Sequence, residues 1–412
     1  MAQATQSYVG LDIGTTKILC IIADQNAAGE MRIMGVGSAP SEGLRRGAVV
    51  DLEKTVQSIE RAVSEAERMS GISVKGVHAG IAGDHIRSIN GRGAVAVSRK
   101  DNEIAPADVE RVIESAKAIA IPNDREIIHV LPQEFIVDEQ DHIKDPVGMS
   151  GVRLEVEVHI VTGAVTSARN ICRAIQRADL KVFDLTLQPL ASAAAVLDRD
   201  ERELGVVLID IGGGTTDVAV WHEGAVRHTS IIPFGGHNIT SDIAIGLRTP
   251  LDRAEALKIQ YGAALAAGVS DEMISVPGVG GRDERTISRQ LLASMIEPRM
   301  EEILQLANKE FRKNHFAPLI GGGVVLTGGT SLLPGVVELA EQVFELPVRL
   351  GRPRGIGGLT TELTDPRNAT GIGLVLHAAG GDEQPMNDLV EVGGGRPRGR
   401  FDIKSWISNL FS

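Results

Sequence analysis

The chain has 412 residues, 43% apolar and 23% charged, an ordinary globular composition that is long enough for roughly two to four domains. A net charge of −12 and an aromatic content of 3% argue against nucleic-acid binding, which needs clustered Lys/Arg on phosphates and rings under bases. Cys20 and Cys172 lie in apolar segments without CxxC or Cys/His spacing, which argues against a disulfide framework or structural zinc and for buried thiols in a reducing compartment. The opening residues show no basic region followed by an apolar run, and no stretch reaches the roughly 18 apolar residues of a membrane span, so neither secretion nor transmembrane insertion is expected.

In chain order, Tyr8 to Ala23 reads as strand, tight turn at Gly14, and strand. Val56, Ile59, Val63, Ala66 and Met69 recur at helical spacing, and Asp51 and Gly71 suit the two ends of that helix. From Asp84 to Val161 the texture changes: an apolar alternation in Ala94 to Val97, an amphipathic helix from Pro106 to Ala118, and strand-like runs at Ile127–Leu131 and Leu154–Val161 predict a small α+β insertion. Helical patterns return at Ser167–Ala178 and Leu190–Leu197. A second strand–turn–strand block follows at Leu204 to Trp221, then a mostly helical stretch from His237 to Asn314. A third glycine turn sits at Thr327-Gly328-Gly329-Thr330. After Gly380 the chain is polar and glycine-rich through Gly399, and then turns apolar again.

The two strand–turn–strand blocks resemble each other. Leu11-Asp12-Ile13-Gly14-Thr15-Thr16 aligns with Ile209-Asp210-Ile211-Gly212-Gly213-Gly214-Thr215-Thr216 if the second copy carries two extra glycines, which predicts duplicated halves. Hairpins of this kind suit a triphosphate. Glycine lets backbone N–H groups approach and tolerates positive φ, the threonines add hydroxyls, and Lys17 adds a positive charge. Asp12 and Asp210 sit at equivalent strand ends, where two carboxylates can hold the waters of a Mg²⁺ bridging the phosphates, and neither is expected to be buried without a partner. A single such turn would be read as an ordinary structural hairpin; two matching copies favour the phosphate-binding reading. No GxxxxGK[ST] occurs, and the glycine strings at Gly278, Gly355 and Gly393 lack a suitable following helix.

These segments resemble the phosphate-1, phosphate-2 and adenosine motifs of the superfamily that contains actin, Hsp70 chaperones and sugar kinases. Together with Gly43-Leu44-Arg45-Arg46-Gly47-Ala48-Val49-Val50-Asp51, the insertion and the apolar tail, the whole chain resembles the FtsA family of bacterial cell-division proteins. The resemblance implies an α/β, actin-like ATPase fold of two lobes, each a mixed β-sheet with helices, plus an inserted small α+β subdomain. It divides the chain into a first-lobe core (1–83), the inserted subdomain (84–161), a return to the first lobe with a connecting helix (162–204), a second-lobe core (205–236), its smaller subdomain (237–314), more second-lobe core with the adenosine motif (315–354), a return to the first lobe (355–379), a linker (380–399) and an amphipathic membrane-targeting helix (400–412).

The resemblance also implies cofactors and roles. ATP and Mg²⁺ would lie between the lobes, held by Gly14, Thr15, Thr16, Lys17, Gly212, Gly213, Gly214, Thr215 and Thr216, with Asp12 and Asp210 on the metal. Gly328, Gly329 and Thr330 would approach the adenosine. Glu255 and Lys258 resemble a nucleoside-contacting pair, with a solvated i,i+3 ion pair as the alternative. Gln188 resembles the residue that orients the attacking water, against a plain helix-capping Gln, and implies slow ATP hydrolysis. The implied partners are FtsZ, further copies of the chain in filaments and other septum-building division proteins, at the cytoplasmic face of the inner membrane. The helix Arg289 to Lys313, with Arg299, Glu302 and Lys309, is the candidate FtsZ-docking surface. A small-molecule kinase on the same fold is the competing class; it would need a general-base Asp beside a substrate pocket and has no use for the tail.

In that tail Phe401, Ile403, Trp406, Ile407, Leu410 and Phe411 cluster near one helical face, preceded by Arg396, Arg398 and Arg400. This is a helix too short to span a bilayer but suited to lie in its interface, each basic residue adding about 1 kcal/mol at an anionic surface. One tail should bind weakly, and many in a polymer firmly. Docking on the chain's own globular body is the alternative.

Overall fold

The computed structural model describes residues 6–98, 101–278, 284–313, 316–358 and 362–380. The expected tail helix, with Phe401, Trp406, Ile407, Leu410 and Phe411, and the linker beyond Gly380 lie outside the described residues.

In the first lobe β1 (Gln6–Ile13), β2 (Lys17–Gln25) and β3 (Met31–Pro40) form an antiparallel meander. β2 is a nearly unbroken apolar run, as a strand covered on both faces must be, whereas β3 buries alternate residues from Met31 to Ala39. A short ribbon of β4 (Leu44–Arg45) and β5 (Ala48–Val49) leads into α1 (Leu52–Ser70). This helix starts at Asp51, whose carboxylate accepts from the Lys54 backbone N–H, and ends at Gly71 in the left-handed region. It lies against β3 because Gly37 has no side chain: a Cβ there would stand 1.9 Å from the Ala62 carbonyl oxygen. Then β6 (Gly76–Ile81) pairs parallel with β1.

The insertion comprises β7 (Arg87–Ala96), α2 (Pro106–Ala116), β8 (Arg125–Val137), β9 (Gln140–Ile143) and β10 (Arg153–Ala164), an antiparallel sheet ordered β7-β10-β8-β9. Val109, Val112 and Ile113 of α2 pack on Phe135, Leu154 and Val156, giving the insertion its own core. The chain returns through α3 (Val165–Arg177), β11 (Lys181–Leu187) parallel to β6, α4 (Gln188–Val196) and α5 (Arg199–Leu204). The first-lobe sheet is ordered β11-β6-β1-β2-β3.

The second lobe repeats that plan. An antiparallel meander of β12 (Val206–Ile211), β13 (Thr216–His222) and β14 (Ala225–Ile232) is followed by α6 (Gly236–Leu247), α7 (Leu251–Tyr261), β15 (Met273–Val276), β16 (Arg285–Ser288) and α8 (Arg289–Lys313). Next come β17 (Val324–Thr327) parallel to β12, α9 (Val336–Phe344) and β18 (Val348–Leu350), after which α10 (Ala369–Ala379) packs back on α4 and on β1 of the first lobe. The order β14-β13-β12-β17-β18 matches the first lobe strand for strand, so the halves share one topology. Their additions differ in place: between β6 and α3 in the first lobe, between β14 and β17 in the second. The latter is less purely helical than its composition suggests, because Ile274, Val276 and Ile287 alternate with polar neighbours and form the β15–β16 ribbon.

Side chains of the insertion satisfy carbonyls along the outer edge of β14. Gln133 Nε2 donates to the Val226 and Arg227 carbonyls (2.7 and 3.1 Å), and Ser88 Oγ donates to the Thr229 carbonyl (2.7 Å). The buried His159 ring bridges Asn90 Oδ1 (2.7 Å) and Thr229 Oγ1 (2.8 Å). Burial, aided by nearby His228, pushes His159 down to about 3, below the unfolded value of about 6.5. Below pH ~6.5 the unfolded chain takes up a proton that native His159 refuses, so this residue costs about 1.4 kcal/mol of stability per pH unit as pH falls toward 3. His129, pushed to about 4 by burial, steepens the same fall. Urea midpoints measured between about pH 7.5 and 5.5 should drop less in His159→Gln than in the parent; equal slopes would refute this.

Candidate functional site

Two turns with the same construction face each other between the lobes. The Gly14 N–H donates to the Lys17 carbonyl (3.1 Å), and the Gly212 N–H donates to the Thr215 carbonyl (2.9 Å). Strand register pairs Ile13 with Ile18 and Ile211 with Thr216, so each turn holds the same number of residues. The extra-glycine alignment is therefore corrected. Gly213 and Gly214 stand where Thr15 and Thr16 stand in the first lobe, and Thr215 stands where Lys17 does. The glycines are also needed for a different reason than positive φ, since none of Gly14, Gly212, Gly213 and Gly214 is in the left-handed region. The requirement is clearance: a Cβ on Gly213 would lie 2.3 Å from Thr16 Cγ2, and one on Gly214 would lie 2.6 Å from Thr15 Oγ1. The first lobe's threonines fill the space that the second lobe's glycines leave.

Three carboxylates converge behind these turns. Asp12 is buried, and its Oδ1 accepts from Gln188 Nε2 (2.9 Å) at the first residue of α4. Burial raises Asp12 to about 7, opposed by Lys17 and reinforced by Asp210. Asp210 Oδ2 accepts from Ser192 Oγ of α4 (2.7 Å) and from Thr370 Oγ1 of α10 (3.4 Å), and burial outweighs these bonds to raise its pKa. As expected, neither aspartate is buried without a partner. The third carboxylate, Asp217, lies directly across the hairpin from Asp210. Burial, then Asp210 and Asp12, push it well above the usual carboxylate range, and its buried Oδ1 has no hydrogen-bond partner. Sequence reasoning missed Asp217; the available signal was a charged residue opening the otherwise apolar run Val218 to Trp221.

The remaining predicted residues fall around one cavity of about 650 Å³, a volume suited to a small-molecule ligand. Gly14, Thr15, Thr16, Lys17, Gln188, Gly212, Gly213, Gly214, Thr215, Glu255, Lys258, Gly328, Gly329 and Thr330 all line it with Asp12 and Asp210. Thr216 does not: fully buried in β13, it donates Oγ1 to the Phe234 carbonyl (2.9 Å). Lys17 Nζ reaches across to Asn368 Oδ1 (2.8 Å) and the Arg367 carbonyl (3.0 Å) at the entry to α10. Burial lowers its pKa, partly offset by Asp12. Glu255 and Lys258 do form the i,i+3 ion pair, but only its carboxylate half meets solvent. Buried Lys258 Nζ donates to the Gly236 carbonyl (3.0 Å), Thr240 Oγ1 (2.9 Å) and Glu255 Oε2 (2.8 Å), stapling α7 to α6. Gly328 has φ 85°, and a Cβ there would stand 2.3 Å from Asp210 Oδ1. Beyond it Leu251, Ile259, Leu332, Leu333 and Pro334 give the cavity an apolar end, also unforeseen from the sequence.

The arrangement offers a cleft with buried like charges at one end and an apolar slot at the other. Asp217's orphaned oxygen and the mutual repulsion of Asp12, Asp210 and Asp217 fit a divalent cation, which would relieve both.

Known proteins supply the family. The profile described as "Cell division protein FtsA" matches residues 207–373, and that of the "SHS2 domain inserted in FTSA" matches residues 83–162. The chain is 49% identical over 377 residues to the cell division protein FtsA of Pseudomonas aeruginosa, covering 91% of this chain and 90% of that one. Its identity to the Neisseria meningitidis protein is 48% over 416 residues, covering 98% and 99%. Among solved structures, a PilM-PilN type IV pilus biogenesis complex aligns with a TM-score of 0.66 at 17% identity, covering 90% of this chain and 98% of that one. MreB5 of Spiroplasma citri bound to ADP aligns with a TM-score of 0.56 at 14% identity, covering 89% and 94%. These two share the fold, which is actin-like. Two matching lobes, an insertion at the matched place and near-half identity over almost the whole length place the chain in the FtsA family of cell-division proteins.

Proposed function

We propose that the chain binds ATP with Mg²⁺ in the interlobe cleft, assembles into actin-like filaments, and through them holds FtsZ filaments at the cytoplasmic face of the inner membrane while recruiting septum-building proteins. The observation that carries the nucleotide reading is the meeting of two matched turns, Gly14–Lys17 and Gly212–Thr215, over the carboxylates of Asp12 and Asp210. Mg²⁺ supplies charge neutralisation for the phosphates, and Asp12 and Asp210 would hold it. Thr15, Thr16, Lys17, Gly213, Gly214 and Thr215 surround the phosphate end, and Gly328, Gly329, Thr330 and Glu255 the adenosine end. The residue division given above from the family resemblance, from the 1–83 core to the 400–412 helix, belongs to this proposal.

Gln188 is the proposed water-orienting residue. Its amide donates to Asp12, which leaves the side-chain carbonyl to align a water, a positioning role that needs no strong base. Gln188→Ala should slow phosphate release at least about tenfold with ATP affinity preserved. Unchanged turnover would remove the assignment.

For FtsZ, the proposed surface is the groove between α8 and α9, lined by Glu297, Glu301, Lys309, Arg312, Leu339 and Val343. Arg299 is less available, since it pairs with Asp242 (2.6 Å) and with Glu302 and holds α8 to α6.

Among the described residues no helix is long and apolar enough to cross a membrane. Attachment is assigned to Phe401, Trp406, Ile407, Leu410 and Phe411. The test is co-sedimentation with anionic liposomes of the full chain against a chain ending at Gly395. The full chain should pellet with ATP and the truncated one stay in solution; equal pelleting would sink the tether.

A further inference from the structure

A second cluster of metal-ligating side chains lies far in the fold from the cleft carboxylates, where the insertion meets the second lobe. Glu134 is on β8, His142 on β9, and Glu223 in the turn between β13 and β14. His142 Nδ1 stands 3.3 Å from Glu134 Oε2 and 3.4 Å from Glu223 Oε2, and one ligand atom from each residue lies within 4.8 Å of the others. A tetrahedral Zn²⁺ with bonds of about 2.0–2.1 Å holds its ligand atoms about 3.3–3.4 Å apart, so two edges of the tetrahedron are already in place.

Two further observations point the same way. Glu134 Oε2 is buried and makes no hydrogen bond, a costly state for a carboxylate oxygen that a cation would end. Asp141 Oδ2 lies 3.9 Å from the other imidazole nitrogen, His142 Nε2, beyond hydrogen-bond reach, and adds a third carboxylate beside the cluster. Arg227 works against a cation: it contacts Glu134 Oε1 (3.6 Å) and Glu223 Oε2 (2.7 Å) and offsets one of the two negative charges. The other remains for the metal.

We propose that Glu134, His142 and Glu223 bind one divalent transition-metal ion of the zinc class, clamping the insertion to the β13–β14 turn of the second lobe. An imidazole beside two carboxylates selects such ions over Mg²⁺, which prefers oxygen and retains its water. The site is independent of the nucleotide reading, and the clamp would reinforce the contacts that Gln133 and His159 make with β14.

The test uses the full chain, stripped of metal with a chelator and free of nucleotide, titrated calorimetrically with ZnCl₂ and followed by hydrogen exchange. One Zn²⁺ should bind per chain, slow exchange in β9 and in the β13–β14 turn, and weaken at least about tenfold in His142→Ala and in Glu223→Gln. His142 is mostly exposed, so its removal leaves the core intact, and unchanged urea midpoints without metal verify this. Zinc binding that is equal in the parent and in His142→Ala, no zinc binding at all, or the same protection from Mg²⁺ would each overturn the proposal.

Discussion

Asp210→Asn should abolish the enhancement of ATP binding by Mg²⁺, with a loss of at least about 100-fold in the affinity of the magnesium complex. Asparagine keeps the shape and an oxygen that can accept from Ser192 Oγ and Thr370 Oγ1, so the connecting helices retain their anchor. What it removes is the charge. Changes to residues that merely support a metal ligand typically cost 10- to 100-fold in metal affinity, so loss of a ligand's charge should reach the upper end or beyond. Stability should hold or rise, because burial disfavours a charge on Asp210 and that charge in turn pushes up its neighbours Asp12 and Asp217. Calorimetric titration with ATP, with and without Mg²⁺, reads the first effect and urea unfolding the second. A variant that binds ATP with unchanged magnesium dependence would take Asp210 off the metal.

The second large effect concerns the crossing of α4 and α10 between the lobes. A Cβ on Gly373 would sit 1.7 Å from the Ala191 carbonyl oxygen and 2.3 Å from its carbon, so the two backbones touch there. Helix propensity alone makes Gly373→Ala stabilising by about 1 kcal/mol. The contact predicts the reverse: the helices must separate, and overpacking of this kind costs about 1–3 kcal/mol or more. Ser192, one residue beyond Ala191, and Thr370, one turn before Gly373, are the two donors to Asp210, so separation also displaces the cleft carboxylate. Urea midpoints decide the sign, and a more stable variant would show that the crossing is looser than described.

How much of this was legible in the sequence depended on whether the signal was local. The two hairpins announced themselves because Asp, Gly and Thr had to occur in one short order twice, and α1 because Asp51 and Gly71 mark its ends. The family resemblance likewise drew on contiguous motifs. Register was not legible. Matching threonine to threonine placed two extra glycines in the second turn, whereas backbone pairing makes the turns equal and puts Gly213 and Gly214 against Thr16 and Thr15. Thr216 was assigned to the cleft for the same reason and lies beneath it instead. Asp217 is invisible as a cleft residue until β12 and β13 are paired, since only then does it stand opposite Asp210. The apolar end of the cavity and the insertion's grip on β14 draw residues from distant segments, where no local pattern records the contact. Lys258 shows the same limit: its spacing from Glu255 is that of a surface pair, but the packing of α7 on α6 buries it.

The central claim is that Asp12 and Asp210, one from each lobe, serve a single metal–triphosphate. Crystals of the full chain grown with a non-hydrolysable ATP analogue and Mn²⁺, with anomalous scattering recorded from the manganese, test it directly. One manganese peak is expected at the phosphates between the two aspartates, with both turns closed on the same nucleotide. A metal served by only one of them, or a nucleotide lodged elsewhere, would contradict it.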